Sequence, residues 1–262
     1  LAAGKGVVIA RSQAEARATI DAWMRQGALG TAARILIVEA LDRILTTFPE
    51  SLSAKALRSL ENLGVTGRLG ESVVGVDEQS VTVQREDGAT ERIPTRTVIW
   101  AAGVTASPLA RLLADEAGEE VDRAGRLIVQ GDLSVPGHPE VLALGDMISV
   151  RQPDGAALVL SGVAPVAMQQ GRHAARVVRD RLAGREPKPF HYVDKGNLAT
   201  IGRARAVADV KGVHLSGFLA WVTWLVVHLW YLIGFQNRLL VVIRWAVSFF
   251  THGRGARLIA HD

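Results

Sequence analysis

The order of apolar and polar positions along the chain predicts alternating strands and helices. Continuous apolar runs, which are typical of buried parallel strands, occur at residues 34–39, 97–102 and 141–144. Residues 72–77 and 80–85 alternate in polarity, and Asp87-Gly88 after them predicts a hairpin turn. The other predicted elements are strands at residues 5–10, 198–201 and 206–210 and helices at residues 12–26, 51–63 and 163–182. This alternation predicts an α/β fold.

The pattern changes after residue 211, where charged residues become sparse. Residues 218–235 are apolar apart from Thr223 and His228, and residues 239–250 form a second apolar stretch that Arg244 interrupts. Four of the six Trp residues lie in this tail, and Trp favours the membrane–water interface. Basic residues flank the first stretch on both sides, which disfavours a single span, so we expect amphipathic helices that lie in the interface. A true span is the alternative.

Composition narrows the chemistry that the chain can perform. The formal net charge is +4, but basic and acidic residues are interleaved, so no nucleic-acid partner is expected. The chain has no Cys, which excludes disulfides, thiolate catalysis and cysteine-ligated metals. No second ligand stands at metal spacing from His228, so no metal site is expected. The chain begins at Leu1 without a signal-peptide pattern, and we expect a fragment with an internal start.

Three segments together form a recognisable signature: T-V-I-W-A-A-G-V at residues 97–104, H-P-E-V-L-A-L-G-D-M at 138–147 and A-P-V-A-M-Q-Q-G-R-H-A-A at 164–175. Their order and spacing resemble the flavoprotein reductases with two dinucleotide-binding domains. The third segment, together with Y-V-D-K-G-N-L-A-T-I-G at residues 192–202, is similar to type II NADH dehydrogenase in particular. The resemblance runs from about residue 34 to the C-terminus. It implies an incomplete, Rossmann-like α/β flavoprotein with a C-terminal amphipathic helical membrane anchor.

The resemblance implies FAD as a cofactor and places residues around it. A Gly-Asp pair after a strand puts a carboxylate where α/β folds bind ligands, and in the family this Asp holds the ribityl chain of the flavin. Gly145 and Asp146 should do so here, although a simple Gly-Asp turn is the alternative. The helix that starts near Pro165 should point the positive end of its dipole at the flavin ring. Its first residues would then contact the flavin: Ala164, Pro165, Val166 and Ala167.

The resemblance also implies NADH as the electron donor. Ala102 and Gly103 end a strand at a point where a bulky side chain would block the nicotinamide nucleotide. Glu39 ends the strand at residues 34–39. An acid at this position usually binds the ribose hydroxyls of NAD and disfavours the phosphate of NADP.

A membrane quinone is the implied electron acceptor, and three residues are the candidate catalytic contacts. By resemblance, Gln169, Gln170 and Lys195 should lie near the flavin and the quinone. Many members of the family have Gln where this chain has Pro165, so this chain departs from the usual set of quinone contacts. The alternatives are a solvated helix face for the two Gln residues and an ordinary loop position for Lys195.

Residues 1 to about 40 resemble a different enzyme. The sequence from L-A-A-G-K-G-V-V-I-A to A-R-I-L-I-V-E is similar to the ATP-binding region of phosphoribosylamine–glycine ligase, an ATP-grasp enzyme. We therefore expect a chimera, with residues 1–33 foreign to the rest and Glu39 inherited from either ancestor. The sequence contains no G-x-G-x-x-G phosphate loop, so we expect weak affinity for FAD and NADH.

These expectations combine into one prediction. Residues 34–104 form part of an NADH-binding domain, residues 105–211 form the C-terminal part of an FAD-binding domain, and residues 212–262 anchor the chain to the membrane. The predicted function is that of a respiratory-chain NADH:quinone oxidoreductase that pumps no protons. The enzyme is expected as a peripheral protein on the cytoplasmic face of the cell membrane, bound to the bilayer surface, with a homodimer left open. A catalytically inert, membrane-associated fragment is the main alternative, and a remnant of an ATP-grasp ligase is a second.

Overall fold

A computed structural model describes residues 6–10, 34–95, 97–101, 103 and 105–251 of the chain. The strands in chain order are β1 (Gly6–Ala10), β2 (Ile35–Glu39), β3 (Val65–Leu69), β4 (Glu71–Val76), β5 (Ser80–Arg85), β6 (Thr90–Pro94), β7 (Thr97–Ala101), β8 (Leu127–Val129), β9 (Ser134–Val135), β10 (His138–Leu142), β11 (Ile148–Arg151), β12 (Ala157–Leu158), β13 (Asn197–Gly202), β14 (Arg205–Val210) and β15 (Val213–Gly217). The helices are α1 (Glu50–Glu61), α2 (Pro108–Ala117), α3 (Ala164–Leu182), α4 (Phe218–Tyr231) and α5 (Phe235–Thr251). The helix predicted at residues 12–26 lies outside the described residues.

The chain divides into two compact units, one comprising Leu1–Ala102 and Gly196–Asp262 and the other Gly103–Lys195. The first is built on a four-stranded parallel sheet in the order β3-β2-β1-β7. This arrangement, with β1 between β2 and the later strand β7, is that of one half of a Rossmann fold. The side chains of Ile35, Leu36, Ile37 and Val38 on β2 are buried, as a strand inside a parallel sheet requires. The predicted Rossmann-like α/β fold is confirmed.

The strand predicted at residues 97–102 exists as β7, but the expectation that it is fully buried is wrong. The side chain of Trp100 is 58% exposed. The reason is the position of β7 at the edge of the described sheet, where only β1 pairs with it.

Strands β4, β5 and β6 form an antiparallel sheet. The predicted hairpin turn is confirmed: the backbone N–H of Arg85 donates to the carbonyl oxygen of Ala89 at 3.0 Å, and Gly88 adopts a φ of +82°. One face of this sheet packs against β2. The shared core consists of Leu36, Val38, Val81, Val83 and Ile93.

The last three strands, β13 to β15, form a second antiparallel sheet within the same unit. Its Ile201 and Val207 pack against Leu52 and Ala56 of α1. Strand β15 was not predicted, because the sequence at residue 213 shows only the change to an apolar composition. It pairs with β14 along its whole length and leads directly into α4, whose Ala220 is buried in the same core.

The apolar tail forms two helices, of which the first is shorter and the second longer than the apolar stretch that predicted it. Helix α4 has 14 residues, and Gly234, with a φ of +85°, lies between it and α5. The guanidinium group of Arg238 donates to the carbonyl oxygens of Trp230 at 3.0 Å and Leu232 at 2.8 Å, which satisfies two groups left open at the end of α4. Among the helices of the described part of the chain, none is long and apolar enough to cross a membrane.

The second unit carries α2, α3 and the short strands β8 to β12. Parallel strands β8 and β11 form its centre, and their core side chains include Leu127, Val129, Ile148 and Val150. The strand predicted at residues 141–144 begins three residues earlier, ends two residues earlier and is not buried. Strand β10 pairs antiparallel with β9, and each of its five residues is exposed or partly exposed.

Candidate functional site

The second unit contains a cleft of about 420 Å³, which is within the usual size range of ligand pockets. Gly145 and Asp146 line it together with Val166 and Gln170 of α3 and with residues 158–162. Arg126 and Thr105 contribute to the wall as well. The predicted FAD-contacting residues of two separate sequence segments are therefore neighbours in space.

Gly145 and Asp146 lie in a single 3-10 turn that follows β10. Gly145 has a φ of +80°, a backbone conformation that favours glycine. Asp146 is exposed and its carboxylate faces Gly162 across the cleft: a Cβ atom added to Gly162 would lie 3.3 Å from Asp146 Oδ2. The absence of a side chain at Gly162 thus leaves room beside this carboxylate.

Gln170 holds the Gly145 turn in place. Its side chain is 1% exposed, and its Oε1 atom accepts a hydrogen bond of 2.6 Å from the backbone N–H of Gly145. The buried residues of α3 follow helical spacing and form one inward face: Val166, Gln170, His173, Ala174 and Val177. Gln170 belongs to this face, so its amide oxygen is occupied by the fold.

Gln169 points elsewhere, although it is the next residue of α3. Its side-chain amide donates to the carbonyl oxygen of Val193 and accepts from the backbone N–H of Val193, both at 3.0 Å. This pairing fixes the segment that carries Lys195, whose side chain is exposed. Burial, and to a lesser extent the negative charge of Asp194, raises the pKa of Tyr192 in the same segment. The alternative of a freely solvated face does not describe either Gln169 or Gln170.

The first turn of α3 contains the other predicted flavin contacts. Val166 is buried and lines the cleft. Pro165 stands in the first turn of α3, where no backbone N–H is needed for an intrahelical hydrogen bond. Ala167 lies close to the Gly145 turn, since its Cβ atom would be 4.0 Å from a Cβ on Gly145. Ala164 begins the helix and is exposed.

A polar cluster at the wall of the cleft was missed by the sequence analysis. Asp122 Oδ1 accepts backbone hydrogen bonds from Ala124 at 2.8 Å and Arg126 at 3.0 Å, while its Oδ2 accepts from Ser149 Oγ at 2.8 Å and lies 3.0 Å from Arg126 Nε. Burial of Asp122 opposes ionisation, but these hydrogen bonds and the charge of Arg126 outweigh it and lower the pKa of Asp122. The D-x-x-G spacing of Asp122 and Gly125 was the available signal, since it is typical of an Asp-stabilised turn.

The predicted NADH contacts belong partly to the first unit. Glu39 ends β2, is half-buried, and its Oε1 accepts from the backbone N–H of Leu41 at 3.2 Å. Gly103 has a φ of +77° and open space where a side chain would project. Ala102 lies outside the described residues. Within the described part of the chain, no group of three or more His, Asp or Glu residues could hold a metal ion.

Comparison with protein families divides the chain into two matched regions. Residues 9–171 match the family described as pyridine nucleotide-disulphide oxidoreductase. Residues 195–254 match the NDH2 C-terminal domain.

Curated relatives give the same result. Type II NADH:quinone oxidoreductase Ndh of Mycobacterium tuberculosis is 41% identical over 228 residues, which cover 86% of this chain and 48% of that protein. Type II NADH:quinone oxidoreductase of Staphylococcus aureus is 33% identical over 184 residues, which cover 70% of this chain and 44% of that protein. The chain therefore spans about half the length of the curated relatives that it matches.

Among solved structures, NDH2 from Plasmodium falciparum in complex with NADH matches with a TM-score of 0.80 at 17% identity. The match covers 94% of this chain and 65% of that chain, and it supports the fold. The expectation of an ATP-grasp chimera over residues 1 to about 40 is not borne out. The family match begins at residue 9, inside that segment, and β1 occupies the inner position of the parallel sheet that the dinucleotide fold requires.

Proposed function

The chain belongs to the pyridine nucleotide-disulphide oxidoreductase family, among the relatives of type II NADH dehydrogenase, and we propose that it carries part of the machinery of a non-proton-pumping, FAD-dependent NADH:quinone oxidoreductase. The observation that carries this proposal is the cleft of the second unit, where the Gly145-Asp146 turn meets helix α3 through Gln170. Bound FAD supplies hydride and electron transfer between NADH and a quinone, and the protein supplies binding and orientation.

The residues of the cleft fit a flavin with its polyhydroxylated chain. Asp146 offers an exposed carboxylate to accept hydrogen bonds from hydroxyl groups, and the bare backbone at Gly145 and Gly162 leaves room for a close approach. Val166 provides an apolar wall at the start of α3, next to the backbone N–H groups that face outward from a helix N-terminus. We assign Gly145, Asp146 and the first turn of α3, Ala164 to Ala167, to FAD.

For NADH, Glu39 is the proposed ribose contact. It stands at the carboxyl end of β2 in a sheet of Rossmann order, the place where dinucleotide folds bind the adenosine ribose. One of its carboxylate oxygens accepts from Leu41 N, and within the described residues the second has no hydrogen-bond partner, so it is available to a ribose hydroxyl. Gly103 is a proposed nicotinamide contact, because open space stands where a side chain would project from it. Ala102 is proposed for the same role from the sequence alone.

For the quinone, Gln169 and Lys195 remain the proposed contacts with different roles. Gln169 fixes the backbone at Val193, and through it sets the position of the Lys195 segment. Lys195 is the exposed cationic side chain that this segment presents. Gln170 is proposed to act on the substrate indirectly, because its amide oxygen accepts the hydrogen bond from Gly145.

The membrane is the proposed location of the quinone, reached through helices α4 and α5. These helices and the loop between them expose large apolar side chains, with Trp230 at 74%, Ile233 at 87% and Phe235 at 78%. Exposed apolar area of this kind on paired helices fits attachment to a bilayer surface. We propose a peripheral enzyme on the cytoplasmic face of the cell membrane and a homodimer to which the same tail helices contribute.

A flavin spectrum of the detergent-purified chain tests the proposal. The protein is incubated with FAD, excess is removed, and NADH is added without oxygen. Bound yellow flavin that bleaches with NADH and recovers with a water-soluble quinone is the expected result. A colourless protein that still binds lipid vesicles would support the inert membrane-associated alternative instead.

A further inference from the structure

Among the described residues that line the flavin cleft, Arg126 is the one cation, and two contacts fix its position. Its backbone N–H donates to Asp122 Oδ1 at 3.0 Å, and its side-chain Nε lies 3.0 Å from Asp122 Oδ2. Ser149, which is 1% exposed on β11, donates to the same Oδ2 at 2.8 Å. The guanidinium is therefore held before any ligand arrives, which reduces the entropy lost on binding.

The guanidinium retains donors for a ligand. A guanidinium group has five N–H donors, and within the described residues Asp122 is the one ion-pair partner of Arg126. The side chain is 23% exposed, so part of it reaches the cleft. The Asp122 carboxylate also accepts hydrogen bonds from two backbone N–H groups and the Ser149 hydroxyl. It therefore neutralises the charge of Arg126 only in part.

We propose that Arg126, braced by Asp122 and Ser149, binds the diphosphate group of the flavin nucleotide. The inference rests on the proposed flavin function of this cleft. Asp146 and Arg126 line the same cleft, and their chemistry suits adjacent parts of one ligand: an acceptor for hydroxyl groups and a cation for phosphates. A planar guanidinium presents paired donors that match two phosphate oxygens.

The test compares two flavins that differ in the diphosphate. FAD carries it and riboflavin does not, so binding of each is measured by quenching of flavin fluorescence with the full chain. Arg126→Gln is expected to weaken FAD binding roughly ten- to a hundredfold, the usual effect of losing a charge-assisted hydrogen bond, and to leave riboflavin binding unchanged. Arg126→Lys should give an intermediate loss, because the charge stays and the paired donors do not.

Arg123→Gln is the matched control, because it removes the same charge from an exposed position of the same turn. It should change neither affinity. Because Arg126→Gln leaves Asp122 uncompensated, the Asp122→Asn, Arg126→Gln double variant is measured beside it, and thermal unfolding verifies that each variant folds. In the unaltered chain, added salt should weaken FAD binding and spare riboflavin.

Two results would overturn the inference. Equal loss of FAD and riboflavin in the folded Arg126 variants would mean that the cluster only supports the cleft. No loss of either would mean that Arg126 does not face the ligand. If the unaltered chain binds neither flavin, the proposed function itself fails, and that outcome is distinct from both.

Discussion

The side-chain oxygen of Gln170 accepts a hydrogen bond from the backbone N–H of Gly145 at 2.6 Å, although 25 residues separate them. The bond joins the inward face of α3 to the turn that presents Asp146. The Gly145-Asp146 motif and the motif at the start of α3 are therefore linked in the folded chain, although they are separate in the sequence. A change at Gln170 should therefore alter the turn that presents Asp146.

Replacing Gln170 with Met tests this coupling. Met keeps the volume and removes the acceptor, so the partly buried N–H of Gly145 loses its partner, and the cost should be about 1–3 kcal/mol in the free energy of unfolding. Flavin affinity should fall as well, because the turn that carries Asp146 is released. Urea denaturation and flavin titration measure the two effects. Gln130→Met, at an exposed position of the same unit, is the control and should shift stability by less than about 0.5 kcal/mol.

Gly162→Ala should weaken flavin binding while leaving the fold intact. The added Cβ would lie 3.3 Å from Asp146 Oδ2, and the φ of Gly162 is outside the positive range, so the carboxylate shifts and the backbone is not strained. Loss of one hydrogen bond to a charged carboxylate predicts roughly a ten- to hundredfold lower affinity for FAD. Gly171→Ala is the counterpart: it fills open space within α3 and should stabilise by about 0.5–1 kcal/mol with unchanged affinity. Equal affinities for both variants would contradict the assignment of Asp146.

Much of the fold follows from local sequence pattern. The apolar run at β2 predicts a buried strand and Asp87-Gly88 predicts a hairpin turn, and the structure contains both. Helix α2 could have been predicted as well. Ser107 caps it by accepting from Leu109 N at 3.3 Å, Pro108 opens it, and Gly118 closes it with a φ of +68°. These start and stop signals were present in the sequence.

The candidate site is predictable only in part, because long-range partners decide it. The motif around residue 169 gives two adjacent Gln residues, yet nothing local says that Gln170 turns inward to Gly145 and Gln169 turns to Val193. The Asp122–Arg126–Ser149 cluster depends on β8 and β11 lying side by side, which is a tertiary event. The edge position of Trp100 is likewise set by strand order and not by its apolar neighbours.

His173 makes the stability of the second unit depend on pH. Burial first, and then the positive charge of Arg176, lower the pKa of His173 below its ordinary value of 6.5, while the backbone of Lys188 acts in the opposite direction. The unfolded chain therefore takes up a proton before the folded chain does. The contribution of neutral His173 to the free energy of unfolding is fully present above about pH 6.5. It should decline as the pH falls toward the lowered pKa, by at most about 1.4 kcal/mol per pH unit.

Urea denaturation between pH 5 and 7.5 measures this slope. His173→Phe should flatten it, since Phe retains a ring against Phe190, 5.4 Å away between centroids, and cannot be protonated. His191→Gln, at an exposed position, should retain the slope of the unaltered chain. A slope that survives in His173→Phe would assign the pH dependence to other groups.

The loop between α4 and α5 should govern attachment to lipid if the proposed membrane location is right. Ile233 and Phe235 are 87% and 78% exposed, so their replacement by Glu costs the fold little. Each buried apolar side chain contributes about 1.5–3 kcal/mol to transfer from water, so the Ile233→Glu, Phe235→Glu variant should bind vesicles at least about tenfold more weakly even if burial is partial. Co-sedimentation with phosphatidylcholine–phosphatidylglycerol vesicles gives the affinity.

The matched control is Leu109→Glu, Leu112→Glu on α2, which changes two side chains that are 58% and 62% exposed on the other unit and adds the same charge. If both variants lose binding equally, charge repulsion from the anionic lipid explains the loss and the tail has no special role; if only the tail variant loses it, helices α4 and α5 are the surface that meets the bilayer.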